Sequence, residues 1–204
     1  MRHHQYNNNF RFIKEPIDFT KYTDKKILRY CLGATLYMPG TKDFTPVILN
    51  KTMPGLTSMV MCFEDACKEE EVPKAEENVL HLLEVIADAL ESGNLTYDDI
   101  PLVFFRVRSP QQFEVFSEKL EKKHLKVLAG VNFPKFNSEN GERYLSQLKY
   151  LNEKLGDILY GMPILEDRSI AFKDTRYEEL KNIRSILDKY SDIVLHIRVG
   201  ATDF

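Results

Sequence analysis

Charged residues stand at the ends of short apolar runs in this sequence, and among them are groups able to hold a cation and an anion side by side. The run ends carry Pro39-Gly40, Glu64-Asp65, Arg106 with Arg108, Pro134-Lys135, Glu166-Asp167 and Thr202-Asp203. Glu166 and Asp203 offer oxygen ligands to a hard divalent cation such as magnesium, with manganese as the alternative ion. Magnesium keeps several of its waters and needs only one or two protein carboxylates. Arg106 adds a fixed cation whose planar fork suits a carboxylate or a developing enolate oxygen. A run that ends in water becomes polar in any case, so no single position is decisive; charge at five of the six ends is what singles out the set. Spacing alone does not select Glu166 and Asp203 from their neighbours.

These ends share one face only if the runs are parallel strands. The runs are Thr35–Met38, Met59–Phe63, Leu102–Val107, Val127–Phe133, Ile158–Leu165 and Ile193–Val199. Several are continuously apolar rather than alternating, which is what strands covered on both faces require. The intervening stretches have the helical period. Val79, Leu82, Leu83, Ile86 and Leu90 mark a helix over 74–91 that Gly93 ends. Ser109-Pro110 predicts a capped helix over 111–123, and Thr175 with Glu178 has capping-box spacing for one over 175–189. Tyr144, Leu148, Leu151 and Leu155 give a further helix closing at Gly156. Repeated βα units of roughly 30–40 residues build either an open doubly wound sheet or a closed barrel. No Gly-rich phosphate loop follows any strand, which favours the barrel. The expected class is α/β, a TIM-type (β/α) barrel, whose strand ends converge on one face. Six strands instead of the usual eight, with the sequence stopping just after the sixth, are read as a truncation. The expected organisation is an N-terminal extension over 1–30 and an incomplete barrel catalytic domain over 31–204.

Composition narrows the function classes. At 204 residues and 43% hydrophobic content the chain can bury one core, and a net charge of -3 argues against nucleic acid as a partner. Cys31, Cys62 and Cys67 make an odd count without a CxxC pair, which fits a reducing compartment. The polar start and short apolar runs argue against a leader or membrane span, so the expected location is cytoplasmic. His3 and His4 read as a solvated tail. Tyr37, Tyr144, Tyr150, Tyr160, Tyr177 and Tyr190 read as packing residues, Cys62 as a small buried hydrophobe, Cys67 as a loop residue, and Glu69-Glu70-Glu71 as a solvated helix entry.

The motifs, taken in order, resemble one family. Leu36-Tyr37-Met38-Pro39-Gly40 looks like its opening strand exit, and Cys62-Phe63-Glu64-Asp65-Ala66 is similar to its Glu-Asp-Ala motif. Arg106-Val107-Arg108 stands at its Arg-x-Asn, Phe133-Pro134-Lys135 at its Pro-Lys, Pro163-Ile164-Leu165-Glu166 at its glutamate strand, and Gly200-Ala201-Thr202-Asp203-Phe204 at its closing aspartate. From about Ala34 to Phe204 the sequence resembles the citrate lyase beta subunit and HpcH/HpaI aldolase group of metal-dependent carbon–carbon lyases. Within that group, Leu32-Gly33-Ala34-Thr35-Leu36-Tyr37-Met38-Pro39 and Pro54-Gly55-Leu56-Thr57-Ser58-Met59 look most like a branch associated with tellurite-resistance and stress gene clusters.

The resemblance implies a magnesium ion on Glu166 and Asp203, and a small anionic substrate, either a 2-oxo-acid or an acyl thioester such as that of coenzyme A. It implies catalytic roles for Arg106, Glu64 and Asp65, and substrate contacts from Pro39, Gly40, Lys42, Arg108 and Lys135. Lys135 pairing with Glu64 or Asp65 across the mouth is the structural alternative. Lys42 in place of an arginine gives a point charge without a bidentate fork. Arg108 in place of asparagine suggests a more anionic substrate, or else a salt bridge to a nearby acid. The missing end leads to the expectation of poor metal binding and slow turnover. Competing readings are a catalytically silent barrel subunit and an anion-binding module in a stress-response complex. Relatives of this kind suggest a homo-oligomer.

Overall fold

The computed structural model describes residues 9, 11–15 and 17–201. Six parallel strands form one sheet in chain order: β1 (Leu36–Pro39), β2 (Ser58–Cys62), β3 (Leu102–Arg106), β4 (Leu128–Phe133), β5 (Tyr160–Leu165) and β6 (Arg198–Val199). The helix α1 (Lys25–Leu28) precedes β1. The helices α2 (Thr45–Leu49), α3 (Val72–Glu91), α4 (Pro110–Ser117), α5 (Lys122–Leu125), α6 (Gly141–Leu155), α7 (Arg168–Ala171) and α8 (Lys173–Lys189) lie between successive strands. An unreversed nearest-neighbour order is barrel winding, because a doubly wound sheet changes direction at a switch point. The sheet curls until β1 reaches β4, where Asn132 donates to the Tyr37 hydroxyl at 2.6 Å. Arg198 on β6 donates to Thr35, next to β1, at 2.9 Å.

Alternation along the strands sorts side chains into two cores. Met59, Met61, Val103, Phe105 and Phe133 face the helices, where Phe105 meets Phe116 edge-on at 5.0 Å and Phe133 stacks on Tyr144 at 4.6 Å. Val60, Phe104, Ala129, Tyr160 and Met162 fill the inside together with Phe19 and Leu28. Those last two belong to the stretch read as an extension, and they are buried against the strands.

The β3–β4 pairing carries one irregularity that sets the inside face. Val103 pairs with Leu128, but Phe104 pairs with Gly130, so Ala129 is the extra residue of a bulge. The bulge resets the alternation, and Asn132 consequently faces inward toward Tyr37. Gly130 sits so close to β5 that a Cβ would lie 2.0 Å from the Tyr160 carbonyl oxygen.

Several expected boundaries shift. The helix expected over 111–123 is two, because Lys119 and Leu120 make tight i,i−3 bonds to Phe116 and Ser117 and Leu120 turns into the core. Ser109 does cap α4, accepting from the Gln112 amide. Thr175 does not cap α8: the helix starts two residues earlier, and the Thr175 hydroxyl donates instead to the Ser169 carbonyl. The sixth strand is only two residues long, preceded by a lone bridge between Gly161 and Val194, because His196 and Ile197 turn outward. Gly156 closes α6 in the left-handed conformation as expected, with φ 68. Among the described residues no helix is long and apolar enough to cross a membrane.

Gly130→Ala is expected to cost on the order of 3 kcal/mol, since backbone rather than a flexible side chain occupies the space. Gly156→Ala, with open space around its Cβ position, should cost only about 1 kcal/mol through its φ. Urea unfolding of the two variants checks the ranking.

Candidate active site

The strand ends converge on a mouth built around one buried carboxylate. Glu64, two residues past the end of β2, is 9% exposed. Its Oε1 accepts from Lys135 Nζ at 2.5 Å, and its Oε2 lies 3.0 Å from Arg106 Nη2. That second contact is an ion pair without hydrogen-bond geometry, so Oε2 has no hydrogen-bond partner. Charge attraction is less directional than a hydrogen bond, and the pairing therefore stands even where the donor is misaligned. Arg106 is anchored on two other sides, Nε donating to Cys62 Sγ at 3.1 Å and Nη2 to Asp65 at 2.9 Å. Nη1 makes no hydrogen bond among the described residues.

Lys135 joins this network to the β5 exit. Its φ of 47 places a non-glycine residue in the left-handed region, which costs roughly 1–2 kcal/mol. That backbone turn aims its amide at Glu166 Oε1, at 3.1 Å, while its ammonium reaches Glu64. Asn140 holds the turn by donating to the Lys135 carbonyl at 2.9 Å. Burial opposes the Lys135 charge, but the Glu64 bond and the Asp65 and Glu166 carboxylates outweigh it and raise the ammonium pKa. For Asp65, burial pushes upward, while Arg106, a hydrogen bond with Glu64 and Lys135 together hold its carboxyl below the usual range.

Glu166 is 6% exposed. Its Oε2 occupies the space beside Gly200, where a Cβ would come within 2.1 Å. Asp203, expected as the second metal ligand, lies outside the described residues, as does Thr202. Among the described residues no cluster of three or more His, Cys, Asp or Glu side chains is arranged for a metal. The residues present nonetheless fit magnesium: a buried carboxylate stands at a strand exit, its Oε2 in a glycine-made recess, and one carboxylate with waters is a donor set this ion accepts.

Other expected positions fall in different places. Arg108 is turned toward the loop after β2, its Nη1 donating to the Phe63 and Cys67 carbonyls at 3.2 Å each, with Glu69 4.0 Å away. Gly40 is buried, its amide bonded to the Cys62 carbonyl and its carbonyl to Asn78, with Ala75 and Phe63 filling the room a Cβ would need. Pro39 and Lys42 are exposed at the rim. Cys62 is buried, but its sulfur accepts from Arg106 and from the Glu64 amide, so it is a polar anchor rather than a plain hydrophobe. Tyr37 is likewise not a packing residue: its ring lies beside Arg106 and Arg198, and its hydroxyl meets Asn132. Tyr150 and Tyr177 are exposed. Tyr37, Asn132 and Arg198 are the mouth residues that the strand-end pattern does not pick out.

A model of the C-C bond lyase family of the TIM-barrel fold matches residues 26–204. The chain belongs to this family. Among solved structures it is similar to 2,3-dimethylmalate lyase, a member of the PEP mutase/isocitrate lyase superfamily. The identity is 10% and the TM-score 0.45, over 84% of this chain and 61% of that one. The chain thus spans less than two thirds of that lyase's length. No curated protein matches it.

The lowered pKa of Asp65 in this C-C bond lyase family member gives a signed prediction. A carboxyl whose folded pKa lies below its unfolded value of about 3.9 stabilises the fold above that value and loses the contribution as pH falls through the folded pKa. Asp65→Asn should therefore lower the thermal midpoint at pH 6, with the gap to the parent closing as the pH drops below about 3.9. Melting curves across pH 2.5–7 test this, and a gap that persists at the acid end contradicts it.

Proposed function

We propose that the chain is a magnesium-dependent carbon–carbon lyase or aldolase of the citrate lyase beta-like, HpcH/HpaI kind. It would act through an enolate on a small 2-oxo-acid or an acyl thioester such as a coenzyme A ester. The observation that supports this most is Glu166, a buried carboxylate at a strand exit, fixed by the strained Lys135 turn beside the Arg106–Glu64–Lys135 network. Left-handed backbone at a non-glycine residue is retained where the surrounding structure and the site's geometry demand it.

Glu166, together with Asp203, would hold the ion. When bound, magnesium supplies a Lewis acid that polarises the carbonyl and lowers the cost of enolate charge. Arg106 receives the substrate carboxylate through its uncommitted Nη1, while Glu64 and Asp65 keep the guanidinium from swinging away. Cys62 fixes the third side of the same group. Lys135 adds positive charge on the flank nearest Glu64 and Glu166. The cations Arg106, Lys135 and Arg198 match the anions Glu64, Asp65 and Glu166, and Asp203 as a second ligand would add one negative charge. A divalent cation arriving with a monoanionic 2-oxo-acid would bring that set to neutrality, which keeps the electrostatic cost of filling the mouth small.

Magnesium-dependent exchange of pyruvate methyl protons into deuterated water, followed by NMR with a panel of 2-oxo-acids alongside, tests the reading. Exchange is expected with the parent chain and should fall by about 100-fold or more in Glu166→Gln, because several kcal/mol of charge stabilisation go with the ion. Arg106→Lys should raise the substrate concentration needed by about tenfold, as a point charge replaces a fork. Magnesium binding without exchange of any oxo-acid would move the substrate to the thioester class. Neither binding nor exchange would remove the enzyme reading and leave the silent-subunit one.

A further inference from the structure

Tyr37 is held from three directions inside the mouth. Asn132 on β4 donates to its hydroxyl at 2.6 Å. The guanidinium carbons of Arg106 on β3 and Arg198 on β6 lie 5.8 and 5.6 Å from its ring centre. Arg198 is itself tied to Thr35 at 2.9 Å, so the ring sits between two cations that are each anchored elsewhere. A phenol that accepts one hydrogen bond still has its own proton to donate, and among the described residues no acceptor takes it. The residue is 38% exposed.

Asn132 is the stranger of the pair. It is wholly buried, in a strand whose other residues are apolar or glycine, and its Oδ1 has no hydrogen-bond partner. Leaving a buried amide oxygen unmet costs about 1–3 kcal/mol, and an aliphatic side chain of the same size would fill the space without that cost. Stability therefore does not account for an amide at this position, whereas orienting the Tyr37 hydroxyl does. The bulge at Ala129 exists in the same strand and is what turns Asn132 inward.

We propose that the Tyr37 hydroxyl donates a hydrogen bond to an oxygen of the anion held at Arg106, and that Asn132 is the positioning residue that aims it. This rests on the enolate reading of the same mouth and assigns it a further substrate contact. A donor fixed before the substrate arrives gains strength as negative charge grows on the oxygen it faces, without reorganising. It also favours ligands with a second oxygen beside the carboxylate, as in planar 2-oxo-acids, over simple monocarboxylates. Burial raises the Tyr37 pKa, and the flanking arginines and Asn132 offset this only in part, so the phenol keeps its proton at neutral pH.

Oxalate, a planar dianion with the oxygen arrangement of a 2-oxo-acid enolate, is the probe. It would be titrated calorimetrically into the full chain at saturating magnesium, using the parent, Tyr37→Phe, Asn132→Leu, the double variant and Glu166→Gln, each with its melting midpoint measured. Tyr37→Phe should weaken oxalate about tenfold, the worth of one hydrogen bond to a charged group. Asn132→Leu should weaken it less, and should add nothing in the Tyr37→Phe background, because it acts through the hydroxyl. A purely structural asparagine would instead give the same change in both backgrounds, which overturns its positioning role. Parent-like affinity in Tyr37→Phe, with binding lost in Glu166→Gln, overturns the inference and leaves the enolate reading standing. A parent chain that binds no oxalate with magnesium present overturns the inference and, with it, the 2-oxo-acid form of the enolate reading.

Discussion

A carboxylate taken out of water is expensive unless cations accompany it, and the mouth of this barrel is arranged around meeting that demand for Glu64. Its two partners come from different strands, Arg106 from β3 and Lys135 from the turn after β4. Three consecutive strands must therefore sit in their observed register for the charges to meet. Parallel strands with uniformly buried side chains provide that fixity, since a one-residue slip in β2 or β3 would exchange the inner and outer cores. The same network sets the position of Glu166, because Lys135 uses its backbone amide on Glu166 and its side chain on Glu64. One residue in a left-handed turn thus couples two carboxylates, and the strain it carries is offset by the two contacts it makes.

The β4 bulge has a similar coupling role on the opposite side of the mouth. Without the bulge at Ala129, strict alternation from Leu128, which faces the helices, would turn Asn132 outward. Gly130, pressed against the Tyr160 carbonyl, lets β4 and β5 stay in register past the bulge. A local irregularity in hydrogen bonding thereby becomes a chemical feature, an amide aimed at the Tyr37 hydroxyl.

Much of this was legible in the sequence, for physical reasons that differ between elements. Continuous runs such as Met59–Phe63 exposed the buried parallel strands because a strand covered on both faces has no polar alternation to offer. The charged exits were visible because they interrupt those runs, and Arg106, Glu64 and Glu166 do meet at one mouth. Tyr37 was hidden because tyrosine satisfies a packing pattern and a polar role equally well, and its partners come from strands far along the chain. Asn132 did leave a signal, an amide inside the otherwise apolar and glycine stretch Leu128–Phe133. The register that gives it meaning depends on a bulge that periodicity cannot show. The split of α4 from α5 and the shortness of β6 were illegible for a simpler reason: both depend on local turns rather than on hydrophobic period.

At the β2 and β5 exits two adjacent acids take opposite duties, and the period of two explains why. A strand's alternation persists for a residue or two beyond its last ladder bond, so the first member of each pair points inward and the second away. Glu64 is buried among cations while the neighbouring Asp65 side chain remains 57% exposed and braces Arg106 from outside. Glu166 faces the mouth while Asp167 accepts from the Ser169 amide and hydroxyl and so starts α7. For Asp167, burial pushes the carboxyl upward, but Ser169, Asn137 and Lys135 together hold its pKa below the usual range, the state suited to a helix cap. These two exits therefore each make a mouth-facing group and its own mechanical support from two neighbouring residues. That economy lets short loops hold the charges of the mouth in place.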